Sequence, residues 1–375
     1  MSFSSADHAH MAHALRLAAH GLHTTTPNPR VGCVLVQNGT IIGEGWHEKA
    51  GGPHAEIAAL ADAERKLGAG GAAGSTKVAQ GATAYVTLEP CSHHGRTPPC
   101  ADALIAAGVK RVVAAMRDPN PLVAGTGLEK LRAAGVDVAS GLLEAEAREL
   151  NIGFVARMTR GRPWLRLKIA TSLDGRTALN NGVSQWITGA AARRDAHAWR
   201  ARSCAVLTGF GTVRDDDPRL TVREVATTRQ PLPVIVDSRL ETPPTARVLE
   251  RPALIFTASR DDEKLAVLAA RSAEVVVLPN PSGQVDLVAL LTALGNRGCN
   301  EVLVEAGARL NGALLRSGLV DELLIYQAPV LLGDKARGMA ALPEYLALAE
   351  THRLHILDRR MLGVDQRILA RPERI

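Results

Sequence analysis

The residues most informative about chemistry are a His-x-Glu triplet, a later Pro-Cys pair and a second cysteine. They are His54-Ala55-Glu56, Pro90-Cys91 and Cys100. One imidazole and two thiolates make a tetrahedral zinc site with an open position for water, and zinc lowers the pKa of that water towards neutrality. A carboxylate beside the metal then carries protons between water and substrate. The pattern predicts hydrolytic deamination, with one zinc ion held by His54, Cys91 and Cys100, and Glu56 as proton carrier.

The spacing of the two cysteines departs from the general zinc-deaminase signature. That signature is P-C-x-x-C, whereas eight residues separate Cys91 from Cys100. We expect Cys91 at the end of a strand-to-helix turn and Cys100 in the first turn of the next helix, with residues 92–99 as a loop beside the pocket. Helix N-termini favour thiolates, which suits both positions. A structural zinc site would need a fourth ligand, for which His93 and His94 stand nearby.

Strand and helix patterns alternate along the whole chain. Strands are expected at 31–37 and 40–46 around an Asn-Gly turn, and a helix at 55–67 carries the His-x-Glu triplet. A connecting helix is expected over 142–158, and the pattern restarts with a strand at 164–170. Because 375 residues exceed one comfortable core, we predict two α/β domains, residues 1–150 and 151–375.

Composition narrows the class of protein. The net charge of +6 suits anionic small molecules. The sequence contains no run of basic residues of the kind that would predict a nucleic-acid partner. Five cysteines, an odd number, argue against a disulfide framework and for a reducing, cytoplasmic location. The N-terminus lacks the apolar core of a signal peptide, and no stretch approaches the roughly 18 apolar residues of a membrane span. A homo-oligomer, dimeric or higher, is the default expectation.

Longer motifs around these residues resemble the bifunctional deaminase–reductase family of riboflavin biosynthesis. The first half carries TPNPRVG at 26–32 and TLEPCSHHGRTPPC at 87–100, and the second half carries KIATSLDGRTA at 168–178 and PVLLG at 329–333. The resemblance implies a cytidine-deaminase-like three-layer domain followed by a dihydrofolate-reductase-like α/β domain. The Gly/Ala-rich stretch at 68–81 is the main departure, and it touches no motif.

The resemblance also implies substrates and binding residues. The deaminase would take 2,5-diamino-6-ribosylamino-4(3H)-pyrimidinone 5′-phosphate. The reductase would then use NADPH to convert the ribosyl group to ribityl, giving 5-amino-6-ribitylamino-uracil 5′-phosphate. In the deaminase, Asn28 would hold base or sugar, with His47, His93 and Arg96 as further pocket contacts. In the reductase, the expected NADPH contacts are Ala170, Trp186, Thr212, Asp216, Ser238 and Gly307, and the expected substrate contacts are Ser184, Arg200, Leu220, Arg223 and Glu305.

Hydride transfer to the sugar needs alignment and an acid rather than a protein nucleophile. We hypothesise that Lys168 and Asp174 lie near the reacting carbon and assist proton movement while the sugar opens. The alternative is that Lys168 contacts phosphate and Asp174 caps a turn. Arg200 and Arg223 would clamp phosphate, because guanidinium matches phosphate oxygens bidentately.

Three other functions remain open at this point. The first is a nucleic-acid deaminase of the tRNA-adenosine type, which shares the zinc chemistry but not the second domain. The second is a non-catalytic binding module that retains a structural zinc. The third is an enzyme with only one active half.

Overall fold

The protein forms two compact units, Met1–Gly161 and Arg162–Ile375. The computed structural model describes residues 3–68, 77–92 and 98–373. The domain boundary predicted after residue 150 stays a prediction; the compact units divide after Gly161. Within the described residues, no helix has both the length and the apolar character needed to cross a bilayer.

The described part of the first unit contains a five-stranded sheet with helices around it. The strands are β1 (Gly32–Gln37), β2 (Thr40–Trp46), β3 (Thr83–Val86), β4 (Arg111–Ala114) and β5 (Asp137–Ser140), in the order β2-β1-β3-β4-β5. β1 is antiparallel to β2 and β3, and β3, β4 and β5 are parallel. The helices are α1 (Ser5–Ala19), α2 (Ala55–Gly68), α3 (Cys100–Ala106), α4 (Thr126–Ala133), α5 (Glu144–Leu150) and α6 (Ile152–Arg160), with a 3₁₀ turn at His20–His23.

Both faces of this sheet are buried under helices. Strand β1 alternates, so that Cys33 and Leu35 belong to the core cluster that includes α2, α3 and α4. Val34 and Val36 belong to the opposite cluster, which includes Met11 of α1. Side chains of successive strand residues point to opposite faces, and here each face has its own layer of helix. The predicted three-layer arrangement is confirmed.

Helix α2 lies unusually close to β2, and glycines make this approach possible. A Cβ on Gly43 would lie 2.3 Å from the carbonyl oxygen of Ala59, and one on Gly45 would lie 2.6 Å from the Ala59 nitrogen. Only a residue without a side chain fits at such contacts. The helix that begins directly after His54 and carries Glu56 is therefore held firmly against the sheet.

The helix predicted over 142–158 is wrong as a single element. The structure interrupts it at Asn151, between α5 and α6. The Asn151 side chain accepts a hydrogen bond from the Arg30 backbone N–H at 2.8 Å and donates to the Arg30 carbonyl at 2.9 Å. This side-chain pairing with a distant backbone segment favours the interruption, and sequence periodicity cannot reveal it.

The described part of the second unit contains a nine-stranded sheet and a two-stranded one. Its strands are β6 (Trp164–Ser172), β7 (Arg176–Ala178), β8 (Ala205–Gly209), β9 (Leu232–Val236), β10 (Ala253–Thr257), β11 (Ala273–Val277), β12 (Glu301–Val304), β13 (Glu322–Ala328), β14 (Arg337–Gly338), β15 (Leu354–Leu362) and β16 (Asp365–Pro372). The large sheet has the order β11-β10-β9-β8-β12-β6-β13-β16-β15, and β14 pairs with β7.

The helices of this unit follow its strands. They are α7 (Ala190–Arg202), α8 (Phe210–Asp216), α9 (Asp262–Ala269), α10 (Leu287–Asn296) and α11 (Ala308–Arg316), with 3₁₀ turns at Arg247–Leu249 and Leu348–Glu350. Strands β8, β12 and β6 are parallel neighbours, so their carboxyl ends meet at one edge of the sheet. Ligands bind at this edge in open α/β sheets. The α/β alternation predicted for this half is confirmed.

Candidate functional site

The predicted zinc ligands of the first unit come together in space. The Nδ1 atom of His54 lies 3.3 Å from the Cys100 sulfur and 3.6 Å from the Cys91 sulfur. The potential ligand atoms all lie within 4.8 Å of one another. Zinc bonds of about 2.0 Å to nitrogen and 2.3 Å to sulfur in a tetrahedral centre would separate these donors by about 3.5 Å. The three side chains therefore fit a zinc ion, with Nδ1 as the histidine ligand atom.

Local structure explains how residues so far apart in sequence meet. His54 immediately precedes α2, and Cys100 is the first residue of α3, as the spacing predicted. The backbone N–H of Cys100 donates to the Cys91 sulfur at 3.3 Å, and the N–H of Ala101 donates to the Cys91 carbonyl at 3.1 Å. The start of α3 thus folds directly back onto Cys91.

The thiol groups of Cys91 and Cys100 are joined by a hydrogen bond. A hydrogen bond from Cys100, aided by His54, lowers the pKa of Cys91 to about 4. The same interaction, together with burial, raises the pKa of Cys100. A divalent cation would replace the shared proton, and both sulfurs would then bind as thiolates.

Glu56 is buried beside this centre and lies outside the ligand set. It is 3% exposed and stands in the first turn of α2, two residues after His54. Burial, reinforced by the neighbouring Cys91, raises the pKa of Glu56 to about 7. A carboxyl group with a pKa near neutrality both accepts and returns a proton, as a general acid–base catalyst must.

Asn28 and His47 form a hydrogen-bonded pair next to the metal ligands. The His47 Nδ1 donates to the Pro53 carbonyl at 2.8 Å, and the Asn28 Nδ2 lies 3.1 Å from His47 Nε2. Burial lowers the pKa of His47, so its ring is neutral and Nε2 accepts from Asn28. The rings of His47 and His54 meet edge to face at 5.5 Å. His93, His94 and Arg96 lie outside the described residues.

Glu89 is a site residue that the sequence reasoning did not single out. Its buried carboxylate accepts backbone N–H groups from the segment that leads into α4. The donors are Asp118 at 3.0 Å, Gly125 at 2.9 Å, Gly127 at 2.8 Å and Leu128 at 3.3 Å. A Cβ on Gly127 would lie 1.9 Å from the Pro90 carbonyl oxygen. This tight packing fixes the chain next to Cys91. The position of Glu89, two residues before Cys91, is the feature of the sequence that could have identified it as a site residue.

The second unit contains a cleft of about 2060 Å³ at the carboxyl edge of its sheet. The reductase residues expected to contact cofactor or substrate line this one cleft: Ala170, Ser184, Trp186, Arg200, Thr212, Asp216, Leu220, Arg223, Ser238, Glu305 and Gly307. Lys168 lines it as well, whereas Asp174 is not among its lining residues.

A buried ion-pair cluster occupies part of the cleft wall. The Glu305 carboxylate accepts two bonds from Arg200, at 2.5 and 2.9 Å, and lies 3.8 Å from the Lys168 nitrogen. Burial would raise the pKa of Glu305, but Arg200 and Lys168 hold it at about 2. Arg200 donates a further bond to the Thr221 carbonyl. Most N–H donors of the Arg200 guanidinium are therefore already bonded within the protein. Few of them remain for the phosphate contact expected from the sequence.

Asp174 has the contacts of a turn-capping residue. Its carboxylate accepts hydrogen bonds from the Ser172 hydroxyl at 2.5 Å and from the backbone N–H groups of Leu332 and Gly333. The Ser172 bond is the main cause that lowers the pKa of Asp174 to about 2. These contacts favour the turn-capping alternative over a role as proton donor.

The cleft fits a nicotinamide dinucleotide. Gly307 caps the N-terminus of α11, and the space where its Cβ would stand is open. Backbone N–H groups at a helix N-terminus favour phosphate. Trp186 is 69% exposed, and the Arg193 guanidinium lies 4.7 Å from its ring centre. The exposed indole offers a flat apolar face to a cofactor ring.

Comparison with known proteins agrees with both sites. Residues 4–116 match the family described as the cytidine and deoxycytidylate deaminase zinc-binding region, and residues 163–360 match the RibD C-terminal domain. The riboflavin biosynthesis protein RibD of Escherichia coli is 48% identical over 96% of this chain and 97% of its own length. The RibD of Haemophilus influenzae is 45% identical over 100% of this chain and 99% of its own length.

Solved structures are similar over nearly the full chain. RibD of Acinetobacter baumannii has a TM-score of 0.88 and 45% identity, covering 98% of this chain and 99% of that one. A diaminohydroxyphosphoribosylaminopyrimidine deaminase/5-amino-6-(5-phosphoribosylamino)uracil reductase from Thermotoga maritima has a TM-score of 0.83 and 34% identity, with 98% and 99% coverage.

Fold, donor set and family matches define a bifunctional enzyme: a zinc-dependent deaminase of cytidine-deaminase-like fold joined to an NADPH-dependent reductase. The chain belongs to the family of the riboflavin biosynthesis protein RibD. The fold class, the two activities, the pathway and the two cofactors inferred from the resemblance are confirmed.

Proposed function

We propose that the deaminase acts on 2,5-diamino-6-ribosylamino-4(3H)-pyrimidinone 5′-phosphate and that the reductase converts the product to 5-amino-6-ribitylamino-uracil 5′-phosphate. The observation that carries this proposal is the His54, Cys91 and Cys100 donor set with Glu56 buried beside it. The activities named for the Thermotoga maritima protein support the choice of substrates.

In the deaminase, zinc supplies an activated water for attack on the ring carbon that bears the amine. Glu56 takes the first proton of the water onto its carboxylate and delivers it to the ring nitrogen, and it then carries the second proton, from the added hydroxyl, to the departing ammonia. Its pKa of about 7 makes both transfers accessible near neutral pH. Asn28, oriented by His47, holds the base or the sugar. His93 and Arg96 complete the proposed contacts.

In the reductase, NADPH supplies the hydride. Lys168 is the proposed acid, since its nitrogen lines the cleft and burial lowers its pKa, which eases proton release to the sugar oxygen as the ring opens. Glu305 keeps its negative charge and holds the ammonium in place from 3.8 Å. Asp174, proposed from the sequence as a second acid, is better supported as the residue that fixes the turn after β6.

The test is incubation with the diaminopyrimidinone phosphate, with and without NADPH, while ammonia release and cofactor absorbance are followed separately. Ammonia should appear without NADPH, and NADPH should be consumed only after deamination. The Glu56→Gln variant should retain one zinc per chain and lose ammonia release while reducing the deaminated substrate normally. Ammonia release at the wild-type rate in that zinc-loaded variant would refute the role of Glu56.

We also propose that the enzyme is a homo-oligomer in a reducing, cytoplasmic compartment, with phosphorylated pyrimidines rather than nucleic acids as its partners. The free cysteines of the zinc site support the compartment, since oxidation would remove both sulfur ligands. Light scattering of the purified chain tests the oligomer, and a monomeric mass at micromolar concentration would refute it.

A further inference from the structure

His197 is a cleft residue of the second unit that neither the motifs nor the mechanism above uses. It lies on α7, one turn before Arg200, and is 7% exposed. It nevertheless lines the reductase cleft together with Arg200, Arg223 and Glu305. The protonation state and hydrogen-bond partners of this buried imidazole, which lies near two arginines and lines a ligand cleft, determine what it can bind.

The hydrogen bonding of His197 determines where its proton resides. Its Nδ1 lies 3.2 Å from the backbone N–H of Arg223, and this N–H can only donate. Burial, with the positive charges of Arg200 and Arg223, lowers the pKa of His197 to about 4, and Glu305 and Glu224 oppose this only partly. The ring is therefore neutral and carries its proton on Nε2.

The Nε2–H group is a donor without a protein acceptor. Across residues 3–68, 77–92 and 98–373, no side chain or carbonyl accepts from it, and the atom is not sealed from the cleft. Buried donors are normally paired with protein or ligand atoms. A donor that is fixed at one end by the backbone and open to the cleft at the other is suited to a bound ligand.

The charge around His197 identifies the class of ligand. Arg200 is neutralised by its two bonds to Glu305. The Arg223 guanidinium donates to the Thr221 hydroxyl, and no carboxylate of the described residues forms an ion pair with it. This part of the cleft thus combines the positive charge of Arg223, which no carboxylate of the described residues pairs with, and the neutral Nε2–H donor of His197. Such a combination suits a phosphate group.

We propose that His197 is a further substrate-binding residue of the reductase, whose Nε2–H donates to the phosphate of the substrate beside the guanidinium of Arg223. The inference rests on the proposed function, because that function supplies a phosphorylated sugar. His197 remains neutral throughout the working pH range and donates no proton to the reaction.

Two substitutions separate this role from that of a structural anchor for residue 223. In His197→Asn, the side-chain oxygen replaces Nδ1, so the Arg223 N–H keeps its acceptor while the cleft donor is lost. In His197→Gln, the amide nitrogen replaces Nε2, so the cleft donor is kept while the acceptor is lost. Ammonia release by the first unit and the dissociation constant of NADPH are internal controls, and neither should change.

The experiment measures KM and the dissociation constant for 5-amino-6-(5-phosphoribosylamino)uracil and the dissociation constant for its dephosphorylated riboside. His197→Asn should weaken binding of the phosphorylated compound about tenfold, as expected for one hydrogen bond to a charged group, and leave riboside binding unchanged. His197→Gln should recover most of this loss. Wild-type affinity in His197→Asn, an equal loss for both compounds, or no recovery in His197→Gln would overturn the proposal. Failure of the wild-type enzyme to reduce the phosphorylated compound would instead refute the proposed function.

Discussion

Replacement of Glu89 by glutamine should weaken both the first unit and its zinc site. The change keeps the size of the side chain but replaces one carboxylate oxygen by an NH₂ group. Each oxygen of Glu89 accepts two backbone N–H groups, so one pair of donors would face another donor. In the least costly orientation of the glutamine amide, its NH₂ group faces the N–H groups of Gly127 and Leu128, and these two hydrogen bonds are lost. The Leu128 bond is the longest of the four at 3.3 Å.

The magnitude follows from the bonds that are lost. A hydrogen bond to a charged group contributes about 1.5–3 kcal/mol, so two lost bonds reduce the free energy of unfolding by about 3–6 kcal/mol. Cys91 stands two residues along the chain, directly after Pro90, whose carbonyl oxygen is in tight contact with Gly127. We therefore expect the zinc dissociation constant to rise about tenfold or more, since supporting interactions around metal ligands contribute this much.

The assay follows zinc release to a chromogenic chelator during urea titration of the full chain. Zinc release reports on the first unit alone, which matters because a chain of two compact units need not unfold in one step. Glu129→Gln is the matched control. Glu129 is exposed on α4, the helix whose first residues bind Glu89, and the change in charge is identical. If Glu89→Gln released zinc at the same urea concentration as the control, the positioning role assigned to Glu89 would be refuted.

Three further perturbations test other parts of the structure. Asp7, whose pKa is held below its usual range by Arg111, Ser4 and Tyr85 despite burial, should stabilise the first unit above pH 4. That contribution should fade as pH falls through its lowered pKa, so urea midpoints of Asp7→Asn and wild type should converge at low pH. Lys168→Met should abolish NADPH oxidation and spare ammonia release, whereas Asp174→Asn should retain reduction but lower the thermal midpoint. Arg166→Met should cost the second unit up to about 3–5 kcal/mol in urea unfolding, because it removes the buried cation that Glu301 and Glu322 share and leaves them only their bonds to the more exposed Arg202 and Arg371 among the described ion pairs.

Residues that act together over short sequence distances were predictable. His54 directly precedes α2 and Glu56 stands in the first turn of that helix, so their relation follows from local geometry. Cys91 and Cys100 were recognisable by residue type and motif, and the place of Cys100 in the first turn of α3 was correctly expected. The alternation of apolar strands and helices, which burial itself imposes, likewise predicted both α/β units.

Partnerships between distant residues were decided only by the tertiary structure. Arg200 looked free to clamp phosphate, but the fold brings Glu305, 105 positions away, onto its guanidinium. His197 carried no motif, and its role depends on a backbone N–H 26 positions later. A residue type states which bonds a side chain is able to make. Which partner it meets depends on strand order and helix packing, because those long-range pairings alone set the distances between its polar atoms and the rest of the chain.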